Sequence, residues 1–445
     1  MSTQVINHPI DELVYQAVFG DDNQKRTARF SIWQQAIAKG IIPASINDFY
    51  MAKGMGRVPK NLTVPAMNIR GMTYDTVRAA FQAANEHNVG ALIFEIARSE
   101  IIYTDQRPEE YVVVIMAAAL REGWAGPLFI QGDHFQAKAI SPGVPKEGEI
   151  EKIKDLIVEA IKAGFYNIDV DMSTLVNLDK PSEEEQQQSN VKYSLELANF
   201  IRNLEPAGVT VSIGGEIGHI GGKNSTLEDF RAYMSGFNTG LGNMVGMSKI
   251  SIQTGTHHGG VVLADGSLAE VSVDFSILKD VSRVGRDEYQ MGGAVQHGAS
   301  TLPDEFFNQF AQSEAVEVHF ATGLQNIQFD HEAFPKSLRD KIYAWVDTNK
   351  QNEHKSNQTD EQFHYQLRKK AWGEFKQAIW DIPEENKVKI RQSLSERFAF
   401  FYQQLNVVNT KDLIGELVKP VLLEKTQKDF NIDQIKSDEV NGLSD

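Results

Sequence analysis

The chain has 445 residues, is 41% hydrophobic and carries a formal net charge of −16 at pH 7. That length supports one large domain with additions better than two equal halves, and the charge argues against nucleic acid or an anionic membrane as the main partner. With no cysteine, disulfides and thiolate metal sites are excluded, so any transition metal must be held by His, Asp, Glu and water.

Residues 1–60 read as a helical, peripheral arm. Phe30, Trp33, Ile37 and Ile41 recur at roughly helical spacing, and Pro43 follows a stop at Gly40. Residues 1–20 lack a basic region followed by an apolar stretch. No apolar run approaches the length of a membrane span. A soluble, cytoplasmic protein is the expectation.

From residue 62 the texture changes. Strand-like runs at 62–69, 89–96, 127–131, 166–170, 209–213, 249–253, 292–296 and 315–320 alternate with amphipathic stretches such as 76–85, 149–163, 194–204 and 227–237. Eight βα units within 61–332 match a (β/α)8 TIM barrel in count and length. An open doubly wound sheet is the alternative, but it would not aim residues from so many strands at one spot.

Residues 333–445 read as a helical C-terminal extension. Leu338, Ile342, Trp345 and Val346 mark one helix; Trp372, Phe375, Ile379 and Trp380 a second; Leu394, Phe398, Phe401 and Leu405 a third. Residues 348–360 read as an exposed linker and 424–445 as frayed or weakly docked. The polar run 183–188 reads as a solvated loop.

Active sites of a barrel lie at the C-terminal ends of its strands. Asp133, His134, Asp171, Glu216, His258, His297 and Thr322 all fall at or just beyond such ends. Three of these are histidines after separate strands, in Gly132-Asp133-His134, Gly255-Thr256-His257-His258-Gly259-Gly260 and Gln296-His297-Gly298-Ala299-Ser300. One histidine at a strand end is more often structural. Three that converge make an open metal site, which keeps a coordination position for substrate and can polarise a carbonyl. His257 competes with His258 for the second ligand, and the residues alone do not choose.

Asp133 either orients the ligand beside it or shuttles a proton to a substrate hydroxyl; both readings stand at this point. Glu216 opens a glycine-rich stretch, Gly214-Gly215-Glu216-Ile217-Gly218-His219-Ile220-Gly221-Gly222-Lys223. The plain reading is a strand-to-helix turn, and the sharper one a mobile active-site loop with Glu216 near the metal. Gly259-Gly260 and Gly298-Ala299-Ser300 offer backbone N–H groups that can cradle an anion. Asp171 and Ser173 either bind a substrate hydroxyl or cap the next helix.

Taken together with Val64-Pro65-Ala66-Met67-Asn68 and His297-Gly298-Ala299-Ser300-Thr301-Leu302-Pro303, these motifs resemble the class II, metal-dependent fructose-bisphosphate aldolase family, which includes tagatose-bisphosphate aldolases. The similarity runs from about Val64 to Asp330. It implies Zn²⁺, or Mn²⁺ or Co²⁺, on His134, His258 and His297, with Glu216 able to join the metal. It makes Asp133 the acid/base that handles the C4-hydroxyl proton, with Glu216 beside it in the catalytic group. Asn68, Asp171, Ser173, Gly259, Gly298, Ser300, His319 and Thr322 would contact a small sugar or sugar phosphate. The implied reaction is a retro-aldol cleavage of C3–C4 to an enediolate and an aldehyde, in at least a dimer.

The chain departs from the family pattern at several points. Val262 stands where a phosphate-holding Lys is usual, and Thr301 where the third-His loop has Gly. The last strand reads His319-Phe320-Ala321-Thr322, with His319 at the usual Asn. Lys223-Asn224-Ser225-Thr226 replaces an acidic cluster. Metal and C4-hydroxyl machinery are kept while phosphate recognition is altered. A ketose C4-epimerase of the fructose or tagatose type is therefore the alternative, breaking C3–C4 and resealing it with C4 inverted. A non-catalytic partner subunit is a third reading, and it predicts a missing ligand or base.

Overall fold

The computed structural model describes residues 9–218, 223–255 and 273–430. Its centre is a closed (β/α)8 barrel. The eight strands, numbered here for the barrel alone, are β1 (Val64–Asn68), β2 (Ile93–Ala97), β3 (Gly126–Gln136), β4 (Asn167–Asp171), β5 (Ser212–Glu216), β6 (Lys249–Ile252), β7 (Ala294–Gln296) and β8 (Glu317–Phe320). Each pairs in parallel with the next, and β8 pairs with β1 to close the ring. The strands are buried on both faces, as a sheet covered by helices outside and filled by side chains inside must be.

The expected strand runs land on these elements with shifts of a few residues. β3 differs most. It continues to Gln136, so Asp133 and His134 lie inside a strand and not beyond its end. The pairing with β4 changes register between Gly132 and Phe135, and His134 has φ +41°. This is a bulge. Consecutive strand residues ordinarily face opposite ways; the left-handed residue turns His134 to the same side as Asp133.

The N-terminal arm is not wholly helical. Helices Pro9–Phe19 and Asp22–Ala38 pack against helix Pro108–Arg121, but Ile41–Ala44 is a short strand parallel to the start of β3. Ile41 is buried there, outside the helical pattern of Phe30, Trp33 and Ile37. Proline fits such an edge strand because its missing N–H breaks no ladder. The polar run at 183–188 is likewise not a loop. It forms the first turns of helix Glu183–Leu204, where Ser182 caps Glu185 N–H and three glutamates meet the positive end of the helix dipole.

Beyond the barrel, helix Glu384–Gln404 lies along helix Thr73–Glu86. Phe401 stacks on Phe320 of β8 at 4.1 Å and 2° and meets Phe307 at 5.1 Å. Arg391 pairs with Asp75 in the same interface. The second expected C-terminal helix is broken: a 3₁₀ turn at Arg368–Ala371 precedes a short helix at Lys376–Trp380, with Gly373 against the Tyr103 backbone between them. Of the stretch 424–445, read as frayed or weakly docked, residues 424–430 are docked, with buried Phe430 against Phe30 at 6.0 Å and Trp33 at 6.1 Å, and residues 431–445 lie outside the described residues. Among the described residues no helix is long and apolar enough to cross a membrane.

Candidate active site

The site sits at the C-terminal end of the barrel and is built from the β3 bulge outward. On one side, His134 Nδ1 lies 2.8 Å from Asp171 Oδ2 at the end of β4 and 3.2 Å from Glu216 Oε2 at the end of β5. Asp171 is itself fixed: Ser173 donates to it from backbone N–H at 3.0 Å and hydroxyl at 2.6 Å, and Gln136 donates at 2.6 Å. The His297 ring, just past β7, stands 4.4 Å from the His134 ring. Its Nε2 is 2.9 Å from Ser251 Oγ on β6.

On the other side, Asn68 at the end of β1 donates to Asp133 Oδ2 at 2.8 Å and to Glu100 at 3.0 Å. Glu100 also takes Arg70 Nε at 2.6 Å, and Arg70 reaches Thr322 at 3.2 Å. The His319 ring lies 4.1 Å from His297 and its Nδ1 is 3.4 Å from Asp133 Oδ1. Ser300 accepts the Gly323 N–H at 3.0 Å, which ties the third-His loop to the start of helix Thr322–Asp330. Gly298 has φ +69°, which glycine adopts without strain.

The structure thus brings Asn68, Asp133, His134, Asp171, Ser173, Glu216, His297 and His319 into one buried neighbourhood. It places Thr322, Ser300 and Gly298 at its rim. Two of these have a partner that narrows their role. The Ser173 hydroxyl is spent on Asp171, and Asp171 is spent on His134, so both act by holding a ring in place. His258, its competitor His257, and Gly259 lie outside the described residues.

Electrostatics separate the two acids. Burial opposes charge on Asp133, but His134, His319 and His297 outweigh it and hold its carboxyl well below the usual range. Burial and the nearby Asp171 push Glu216 up to about 8. Burial also opposes charge on the His134 ring, yet Asp133, Glu216 and Asp171 keep its pKa well above the ordinary value.

His134, Glu216 and His297 fit a metal centre: each offers a ligand atom, and those atoms lie within 4.8 Å of one another. Two imidazoles and a carboxylate suit a borderline ion such as Zn²⁺, and Asp171 behind His134 is the usual supporting carboxylate.

Sequence reading missed a layer of charge below the site. Gln131, Asp169, Lys249 and Glu317 are buried in the barrel, joined by Glu95. Lys249 Nζ donates to Gln131 at 2.7 Å, Asp169 Oδ2 at 3.0 Å and Glu317 at 2.5 Å. Gln131 Nε2 bridges Glu95 at 2.7 Å and Glu317 at 2.9 Å. The signal was present. Gln131, Asp169, Lys249 and Glu317 stand two residues before Asp133, Asp171, Ser251 and His319, so strand parity puts them on the inner face. Gly214 makes room, since a Cβ there would collide with the Asp169 carboxylate.

Comparison with known proteins agrees with this architecture. The profile described as Fructose-bisphosphate aldolase class-II matches residues 58–380. No curated protein matches the chain. Among solved structures, a probable tagatose 6 phosphate kinase from Sinorhizobium meliloti 1021 is 15% identical with TM-score 0.53, covering 78% of this chain and all (100%) of its own. The YdjI aldolase from Escherichia coli K12 is 13% identical with TM-score 0.48, over 82% of this chain and 98% of its own. A fructose-bisphosphate aldolase from Campylobacter jejuni is 17% identical with TM-score 0.49, over 83% and 97%. The likeness to the Sinorhizobium meliloti structure speaks to the barrel alone, and the profile match covers most of the chain: the protein belongs to the class II fructose-bisphosphate aldolase family, a family of lyases.

Proposed function

We propose that this protein is a metal-dependent aldolase that cleaves or forms the C3–C4 bond of a ketose phosphate. The observation that carries the reading is the β3 bulge. It presents Asp133 and His134 side by side, the first toward Asn68 and His319 and the second toward Glu216 and His297. A base and a cation site on adjacent residues are what retro-aldol chemistry needs: one proton removed from the C4 hydroxyl, and negative charge stabilised across the breaking bond.

His134, His297 and Glu216 would hold the ion, with His258 as the further ligand that family resemblance implies. When bound, a divalent ion supplies Lewis-acid polarisation of the ketose carbonyl. Asp133 takes the C4-hydroxyl proton as C3–C4 breaks and returns it in the reverse direction. Asn68 fixes the Asp133 carboxylate through Oδ2. Asp171 and Ser173 lock the His134 ring. Burial of these groups excludes water that would otherwise protonate the carbanion. The same reading takes Zn²⁺, with Mn²⁺ or Co²⁺ as substitutes, as the cofactor. It makes the protein a cytoplasmic homo-oligomer acting on a small sugar.

The test is product NMR on metal-loaded protein given fructose, tagatose and their phosphates, with a coupled dehydrogenase to trap aldehyde. Trapped aldehyde supports the aldolase. Inversion at C4 without aldehyde release would assign the epimerase instead. No turnover of any of these sugars would overturn both.

A further inference from the structure

The buried layer beneath the site holds more negative than positive charge. Lys249 answers Glu317 and Asp169. Glu95 and Asp133 instead face His319, whose Nδ1 lies 3.0 Å from Glu95 Oε1 and 3.4 Å from Asp133 Oδ1. The other ring nitrogen, Nε2, is 2.6 Å from Glu317 Oε1, which calls for an N–H at that position. Nδ1 therefore faces two carboxylate oxygens, and with no positive species between them three lone pairs would be opposed. All three atoms are buried and lack a hydrogen-bond partner, whereas Asp169 Oδ1, also without a hydrogen bond, lies 2.9 Å from the Lys249 ammonium. Lone pairs opposed at this range repel strongly away from water, so a positive species belongs between them.

We propose that Glu95, Asp133, Asp169 and His319 form a second, inner cation site. Their ligand atoms lie within 4.8 Å of one another. With metal–ligand bonds of about 2.0–2.2 Å, neighbouring donors in one coordination shell stand about 3.0–3.5 Å apart. The separations of 3.0 and 3.4 Å around Nδ1 fall in that range. Glu317 on Nε2–H supplies the supporting carboxylate that metal-binding imidazoles take. Three carboxylates and one imidazole suit Mn²⁺ or Zn²⁺. A divalent ion also removes most of the excess of four carboxylates over the Lys249 ammonium.

Asp133 belongs to both layers, and this consequence rests on its role as the base in the proposed reaction. An inner ion on Asp133 lowers its basicity, so the inner site is inhibitory: the first equivalent of metal activates and the second inhibits.

The experiment is a Mn²⁺ titration of the chelator-stripped full-length protein, read by calorimetry and by the electron paramagnetic resonance of free Mn²⁺. Wild type is expected to bind two equivalents. Glu95→Gln and Asp169→Asn are each expected to bind one, and retention of that one shows the variant is folded. One equivalent in wild type means that a proton on Nδ1 fills the gap, and overturns the site. Two equivalents surviving in both variants overturn the ligand set. Turnover that does not fall as the second equivalent binds overturns the inhibitory role. Two equivalents with no turnover of any sugar would defeat the proposed reaction and leave the inner site standing.

Discussion

His134 Nδ1 and Asp171 Oδ2 meet at 2.8 Å across two strands, β3 and β4, and both side chains are buried. The carboxylate accepts from Nδ1–H and so leaves Nε2 with the lone pair. The pair sets which nitrogen of His134 can bind a cation. Asp171→Asn is expected to weaken metal binding by about 10–100-fold, measured by competition with a chelating dye. Ser173→Ala should move it in the same direction by less. Unchanged affinity in Asp171→Asn would remove the positioning role.

Asp133→Ala should keep the outer cation and lose about 10²–10⁴ in turnover. Metal content is read on the purified variant and rate by the aldehyde trap. Near-normal turnover would take Asp133 out of the chemistry.

Chelation is expected to abolish activity, with Zn²⁺, Mn²⁺ or Co²⁺ restoring part of it. His297→Ala should weaken binding in the same assay. His258→Ala should weaken it more than His257→Ala, and the reverse order would reassign the ligand. Full activity of metal-free protein would defeat the mechanism.

The chelated protein should lose stability as pH rises from about 5 to about 8. Glu216 and Glu95 move from 4.5 up to about 8 on folding, and His134 and His319 move upward from 6.5. A raised pKa contributes stability that is complete below the unfolded value and disappears as pH climbs through the folded one. The lowered Asp133 and Asp171 act oppositely, but only as pH falls below about 3.8. Thermal melts in chelator across this window check the slope, and Glu216→Gln should flatten it. Metal affinity should run the other way and rise with pH, because binding displaces protons.

Phe401→Ala should destabilise the protein by about 3–5 kcal/mol, since the ring is buried and stacked on Phe320. Denaturant melts measure it. A loss below 1 kcal/mol or so would mean that the C-terminal helices are an ornament on the barrel and not part of its packing.

Much of the barrel could be read from the chain because a strand buried on both faces leaves a compact apolar run, and each helix between leaves a 3.6-residue stripe. Errors fell where those signals fail. The run at 183–188 has no apolar stripe, so its helix was invisible; its stability comes from a cap and from charge at the helix start. Ile41 satisfied a helical spacing by chance and packs in a strand. Phe430 gave no periodicity at all, and only its partners Phe30 and Trp33, some 400 positions away, show that it is docked.

The residues alone determined the barrel and pointed to the chemistry proposed for it: histidines and acids placed after separate strands converge when the sheet closes, and no cysteine competes for a metal. Tertiary structure decided how they converge. Asp133 and His134 are neighbours in a strand and by alternation should face apart; a left-handed backbone at His134, paid for by pairing across β4, turns both inward. It also decided that Glu95, Asp169, Lys249 and Glu317 share one interior, because strands distant in sequence become adjacent only when β8 meets β1. Local propensity reaches a few residues along the chain, whereas the cost of burying a charge is settled by whichever strands end up beside it.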